Sequence, residues 1–376
     1  MWSRLIGFLA DVRRNHAAGV NLPRFLTYLV TFGCNARCIM CDSWKKTATD
    51  DLTLEEIDCI LAQLPRMDAV RLSGGEPFVR EDLPEIAACV LQHLRPLVLH
   101  VTTNGFLTSR IVRFCEERDR RVPLQLLVSV DGVGDKHNRV RGSSVAWNTV
   151  CETLRELAPR QRELHLRLGV NQTIVDAEGA EQYERLHAFL QPFNVAHHLV
   201  MAYEVSATYS LNPEVNVAPR EAGQFATFGT FTDHDLRQLL DAAERDLVEL
   251  PFWERIAKRY YLRGIRNRLL YKSAVPNPPC VALNSHLRIF PNGDVPTCQF
   301  NTERIGNLRR QSFQEIWHGS KSENQRQWVR ECPGCWAECE VVPNAIYTLD
   351  LTRALDFRRT KPSRETPSDG LAPASA

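Results

Sequence analysis

The sequence predicts an α/β fold: a parallel βα repeat followed by a small C-terminal unit of β-hairpin and helix. Two observations carry this. From Phe25 onward, short apolar runs alternate with segments of helical period, and polar or glycine-containing stretches close the runs. Past Pro279 the alternation gives way to Leu287-Arg288-Ile289-Phe290-Pro291-Asn292-Gly293-Asp294-Val295, two apolar runs around an Asn-Gly turn, which reads as a β-hairpin.

Residues 1–24 read as an N-terminal helical extension. Strand-like runs follow at Leu26 to Phe32, Ala69 to Leu72, Leu97 to Thr102, Leu124 to Val130, Leu164 to Val170 and Ala196 to Met201. Helices are expected between them near 53–64, 82–94, 109–117, 147–157 and 181–190. The first opens on Thr53-Leu54-Glu55-Glu56, a capping-box spacing, with Leu54, Ile57, Leu61 and Leu64 on one face. Such a repeat over 25–203 closes partly as a barrel or stays open as a wound sheet, with the active site at the carboxyl ends of the strands in either case. Residues 204–279 break the alternation and read as a helical bridge or cap. The hairpin then falls in a unit spanning 280–350, and 358–376, rich in Pro, Ser, Thr and Arg, is expected to be a disordered tail.

The 376 residues carry 46 basic and 45 acidic side chains, a balance that gives no reason to expect nucleic acid or an anionic membrane as partner. The apolar run Leu5 to Ala10 is too short for a secretory signal, and no stretch is long enough to span a bilayer. Twelve cysteines in such a chain therefore read as reduced, cytoplasmic and metal-binding. Four of them, Cys59, Cys89, Cys115 and Cys151, sit singly in helical segments as small hydrophobes.

The remaining thiols form two groups. Cys34-Asn35-Ala36-Arg37-Cys38-Ile39-Met40-Cys41 follows the first strand on a loop opened by Gly33. Three thiolates at this spacing can hold three irons of a cubane cluster, leaving the fourth iron open to a substrate or cofactor. A structural zinc site or buried thiols are the alternative, but paired zinc knuckles have a nearby fourth ligand and this run has none. Cys280, Cys298, Cys332, Cys335 and Cys339 make the second group, where a zinc ribbon is the rival. Pro333-Gly334 argues against a helix through its last three members.

Cys34-x-x-x-Cys38-x-x-Cys41 after the first strand, with Ser73-Gly74-Gly75-Glu76-Pro77 after the second, resembles the radical S-adenosylmethionine (SAM) superfamily over roughly 25–201. The resemblance implies a partial (β/α)6 TIM-like barrel and a [4Fe-4S] cluster whose open iron is chelated by the methionyl part of SAM. It implies that Gly74, Gly75, Glu76 and Pro77 run beside the amino group of SAM, with Glu76 accepting from the ammonium. Asn104 in Thr102-Thr103-Asn104-Gly105, and Ser129 and Asp131 in Ser129-Val130-Asp131-Gly132, would serve the ribose and carboxylate. Arg139 or Arg141 would pair with that carboxylate, and Asn171 and Thr173 fit more weakly. Met40 departs from the aromatic residue common before the last cluster cysteine, yet can still pack on adenine.

Cys280, then Gly293 after twelve intervening residues, then Cys298 resembles the start of the SPASM or twitch domain. Five cysteines suffice for one auxiliary [4Fe-4S] cluster with one thiol spare. The implied activity is that of a radical SAM oxidoreductase: an electron from a flavodoxin- or ferredoxin-type donor leads to SAM cleavage and a 5′-deoxyadenosyl radical, which takes hydrogen from a carbon of a peptide or small-molecule substrate. The outcome is a net oxidation or rearrangement, the alternatives being a polyol or aminocyclitol dehydrogenase or epimerase and, from another class, a non-catalytic metal-binding scaffold. The 24 residues before the first strand are too few for the winged-helix domain of many peptide-modifying relatives. His137, His197, His198 and Tyr203 are acid–base candidates that the sequence does not rank.

Overall fold

The run Phe25–Thr31 mixes leucine with aromatic and β-branched residues, and it forms β1 with every residue buried. A strand covered on both faces belongs inside a parallel sheet. The computed structural model describes residues 2–17, 19–211 and 214–354, so the expected tail at 358–376 lies outside the described residues. An opening helix α1 (Trp2–His16) precedes β1, and the repeat then runs α2 (Leu54–Leu61), β2 (Ala69–Gly74), α3 (Leu83–Leu94), β3 (Val98–Thr103), α4 (Thr108–Glu117), β4 (Leu124–Ser129), α5 (Asp135–Arg141), α6 (Ala146–Leu157), β5 (Leu166–Ile174), α7 (Gly179–Leu190) and β6 (Ala196–Met201). The capping box at the start of α2 is present: Glu56 N–H donates to Thr53 Oγ1, and Thr53 N–H to the Glu56 carboxylate.

After β6 an irregular segment leads to α8 (Asp233–Asp246) and α9 (Phe252–Tyr271), then β7 (His286–Ile289), β8 (Asp294–Pro296), β9 (Arg304–Asn307), α10 (Phe313–His318), α11 (Ser320–Glu331) and α12 (Glu338–Tyr347). All six expected strands are present, in the order β6-β5-β4-β3-β2-β1-β7. The seventh corrects the reading of the hairpin. The arm Leu287 to Ile289 does not pair with the residues beyond Asn292-Gly293; it runs parallel to β1, with Leu26 opposite Leu287 and Tyr28 opposite Ile289. The antiparallel hairpin forms one strand later, between β8 and β9. β6 and β7 do not pair with each other, so the barrel stays partial.

Alternate residues of each strand face opposite sides. Leu26, Tyr28, Val70, Leu72, Leu99, Val101, Leu124 and Leu126 pack outward beneath the helices in one large core. The other face is polar: Thr27 stands level with Arg71 on β2 and with Arg288 on β7, and Arg71 in turn with His100. A second core joins α8 and α9 to Trp336 and Val341. There the Trp336 ring occupies the space that a side chain at Gly264 would need, only 1.8 Å from an added Cβ. Its Nε1–H donates to Tyr261 O at 3.0 Å, and Arg268 lies over its ring at 3.8 Å. Among the described residues, no helix is long and apolar enough to cross a membrane.

Candidate active site

The cysteine loop begins where β1 ends, and α5 holds it from beyond: Arg37 N–H donates to Arg141 O and Ile39 N–H to Val140 O. Ser43 Oγ–H closes the loop on Phe32 O at 2.9 Å. Cys34, Cys38 and Cys41 all face one cavity of about 180 Å³, whose wall also includes Gly74, Gly75, Asn104, Ser129 and Arg141. Burial pushes the Cys34 thiol up to about 12 and raises Cys38 and Cys41 as well, Arg141 working against burial at Cys38. Amide donors already point at the sulfurs, Ala36 N–H to Cys34 and Ser43 N–H to Cys41. Among the described residues, no three His, Cys, Asp or Glu side chains converge on the one point that a lone metal ion requires. A cluster offers each thiolate an iron of its own, so this donor set fits an iron–sulfur cluster.

The glycines of the second motif serve the close packing of two strand ends. A Cβ on Gly74, where φ is +139°, would lie 2.1 Å from Thr31 O, and one on Gly75 2.2 Å from Gly33 O. Gly75 and Glu76 N–H groups donate to Thr31 O and Gly33 O, which fixes the turn against the cysteine loop.

The side chains of Glu76, Pro77, Asp131, Arg139 and Arg141 are placed otherwise than expected. The Glu76 carboxylate does not reach the cavity: it is buried beneath the turn, accepting from Thr103 Oγ1–H at 2.7 Å, Asn104 N–H at 2.6 Å and Phe78 N–H at 3.2 Å. Burial pushes it up to about 7 against these donors. Pro77 likewise sits behind the wall, at the start of a short 3-10 turn. Asp131 is also buried off the cavity wall, where Arg141 Nε lies 2.7 Å from its Oδ2 and Thr173 N–H donates to its Oδ1. That Asp131–Arg141 contact is a close ion pair without the alignment of a hydrogen bond. Arg141 thus spends its charge on Asp131 and a long contact to Cys38 Sγ (3.5 Å), while Arg139 is exposed beside Glu178. Asn104 stays on the wall, its amide donating to Asn35 Oδ1.

A second, larger cavity of about 400 Å³ opens inside the barrel and shares Met40, Cys41, Ser73, Thr102, Thr173 and Tyr209 with the first. Asn171 and Tyr203 line it too. The histidines do not: His137 accepts Asp131 N–H, His197 stacks on Tyr183, and His198 is buried in β6.

Residues 28–183 match the radical SAM superfamily, and residues 280–339 match the SPASM iron–sulfur cluster-binding domain. The chain thus carries a radical SAM domain and a SPASM domain. It therefore takes a [4Fe-4S] cluster and SAM, and its SPASM region takes auxiliary iron–sulfur. Among curated relatives it is 24% identical over 341 residues to the AdoMet-dependent heme synthase of Methanosarcina barkeri, spanning 86% of this chain and 90% of that protein. It is 26% identical over 336 residues to the GTP 3′,8-cyclase of Aquifex aeolicus, spanning 82% and 94%. Its fold resembles Streptococcus suis SuiB bound to the precursor peptide SuiA (TM-score 0.56, 14% identity, 83% of this chain and 68% of that one). It also resembles anSMEcpe with bound AdoMet (TM-score 0.54, 15% identity, 88% and 92%).

In the SPASM region, Cys280, Cys298 and Cys335 act on one another's charge, and Cys332 acts on Cys280; burial raises all four. Cys339 is in the first turn of α12, lines the 400 Å³ cavity, and donates to Gln299 Oε1 at 2.6 Å. The expectation that Pro333-Gly334 keeps the run out of a helix holds up to α12, which takes in Cys339. Glu340 lies beside the group, and although burial opposes it, Arg288 and His286 bring its carboxyl down to about 2. Sequence reasoning passed over Glu340, Gln299, Arg71 and Arg288. The signal for the two arginines was there: each interrupts an apolar strand run at a position facing inward.

Proposed function

We propose that this chain reductively cleaves SAM in the 180 Å³ cavity and removes a hydrogen from a carbon of a substrate held in the 400 Å³ cavity. One observation carries this reading: the two cavities share a wall at Cys41, Ser73 and Tyr209, so a group released in one meets a substrate in the other without passing through solvent. Cys34, Cys38 and Cys41 would hold the cluster, and Arg141 would donate to the Cys38 sulfur while keeping Asp131 neutralised. Gly74, Gly75, Asn104 and Ser129 would line the SAM pocket, with the backbone of the glycine turn, rather than Glu76, facing the ligand. When bound, the cluster and SAM supply a 5′-deoxyadenosyl radical after one electron arrives from a flavodoxin- or ferredoxin-type donor.

Cys280, Cys298, Cys332 and Cys335 would hold the auxiliary cluster, which supports a net oxidation by offering the substrate's electron a place to go. The SuiB structure with its bound precursor peptide supports a peptide as substrate, whereas the heme synthase and GTP cyclase relatives support a small molecule. The test is 5′-deoxyadenosine formation by anaerobically reconstituted protein with dithionite and SAM. Wild type should form it, and the Cys34→Ala/Cys38→Ala/Cys41→Ala variant should not; equal formation by both would end this reading.

Cys339 favours a second outcome. A thiol on the substrate cavity wall can return a hydrogen atom to a carbon radical, leaving a thiyl that a second electron from the donor and a proton would restore to the thiol; the net change would then be an epimerisation. Deuterium from solvent in the product, lost in Cys339→Ser, would select that outcome over oxidation.

A further inference from the structure

We infer that the substrate carries a carboxylate, and that Arg71, with Arg288 beside it, receives this group inside the barrel. The inference rests on the substrate cavity assigned above and adds its chemical class. Arg71 and Arg288 flank Thr27 at one level of the sheet, on the strands either side of β1, and both line the 400 Å³ cavity. Neighbouring strands lie about 4.8 Å apart, so the two backbones are within roughly 10 Å and their side chains leave the same face.

Their charges are treated differently. Arg288 is buried and paired, its Nη2 donating to Glu340 Oε1 at 2.5 Å. Among the described residues, no carboxylate lies within ion-pair distance of Arg71; its guanidinium has a long contact to Cys339 O (3.4 Å) and lies over the Phe25 ring. The other charged groups near the wall are spoken for, Asp42 by Lys45 and Glu338 by Lys258, while Glu204 is exposed at the mouth. Arg71 is therefore left without a counter-ion in a half-buried, polar interior, where an unpaired cation is costly.

Two donors on the same wall are also unused. The Arg288 Nε–H and Ser206 Oγ–H are buried and have no acceptor among the described residues. A planar guanidinium with spare N–H donors nearby is built for a carboxylate. A single guanidinium without a counter-ion favours a monoanion over a phosphate monoester, which carries nearly two charges. Met40, Leu127 and Phe228 elsewhere on the wall would cover an apolar body attached to that carboxylate.

The experiment uses reconstituted holoenzyme and matched probes: benzoate, 3-phenylpropionate and indole-3-acetate, the primary amide of each, and phenyl phosphate. Binding is measured by ligand-observed NMR and titration calorimetry. For wild type the acids should bind about tenfold tighter than their amides, the ratio expected when a charge-assisted pair replaces a neutral one. Arg71→Gln should remove the preference and Arg71→Lys should keep part of it, with circular dichroism and cluster absorbance confirming that each variant is folded and loaded. Equal binding of acids and amides, no binding by any acid, tighter binding of phenyl phosphate, or an undiminished preference in Arg71→Gln would each overturn the carboxylate assignment. Wild-type 5′-deoxyadenosine formation is followed on the same preparation: its absence counts against SAM cleavage alone, whereas the acid–amide ratio bears on the carboxylate alone.

Discussion

Replacing Glu76 by alanine separates a residue that holds the fold from one that holds the ligand. The carboxylate accepts from Thr103 Oγ1–H, Asn104 N–H and Phe78 N–H, all in the interior. The threonine hydroxyl can rotate to another acceptor; the two backbone donors cannot. At about 1–3 kcal/mol for each buried donor left without a partner, Glu76→Ala should cost about 2–6 kcal/mol. That is a large share of the roughly 5–15 kcal/mol that keeps a typical domain folded. Glu76→Gln keeps one accepting oxygen and should cost less. The assay is the apparent thermal midpoint of anaerobic holoprotein without SAM, where ligand contacts play no part. If the alanine variant melts with wild type under those conditions and loses only SAM affinity, the buried-anchor reasoning is wrong and Glu76 does face the ammonium. A pH series on the same samples adds a second check. Burial raises the folded carboxyl from its ordinary 4.5 to about 7, so protonation favours the fold. The stabilisation is complete below pH 4.5 and is lost as pH rises through 7, a difference of about 3 kcal/mol at 1.36 kcal/mol per pH unit. Wild type should therefore lose stability from pH 5 to 8 relative to Glu76→Gln, whose amide does not titrate.

Three further outcomes follow from particular contacts. Cys335→Ala should lose the auxiliary iron while Cys339→Ala keeps it, read by iron and sulfide analysis after reconstitution; iron loss in Cys339→Ala would place that thiol among the ligands. Arg141→Met strands the buried Asp131 carboxylate and should destabilise by about 3–5 kcal/mol in denaturant unfolding, with Arg141→Met/Asp131→Asn recovering part of the loss. Gly264→Ala drives a methyl into the Trp336 ring and should cost about 1–3 kcal/mol, with faster loss of auxiliary iron on dilution into chelator.

The repeat was legible because strand and helix periods are local properties, and all six strands of the βα alternation could be read from runs of a few residues. β7 was not. Asn292-Gly293 turns the chain in the same way whether the arm before it pairs with the arm after it or with β1, some 260 residues earlier. The three thiols of the first loop and the glycine turn could also be read, since their spacing is their chemistry. The direction of Glu76 could not, because its partners Thr103 and Asn104 lie 27 and 28 residues further on. Arg141 misled for a related reason: α5, only seven residues long, has too little periodicity to announce itself, and its geometry delivers the guanidinium to Asp131. The placing of the Cys339 thiol on the cavity wall depends on where α12 begins, which no spacing of cysteines reveals.

The parallel pairing of β7 with β1 makes the two halves of the chain a poor pair of modules. A polypeptide stopped before His286 would keep every thiol of the first loop, yet the strand that delivers them would become a bare sheet edge, with Phe25 to Tyr28 offering open hydrogen-bonding groups to any passing chain. On a ribosome that edge stays open until residues near 289 emerge, so the catalytic half is sticky for as long as its auxiliary half is unmade. Domain shuffling, truncation for expression and fusion at residue 280 all run into the same obstacle: the seam lies inside the sheet, not between two bodies.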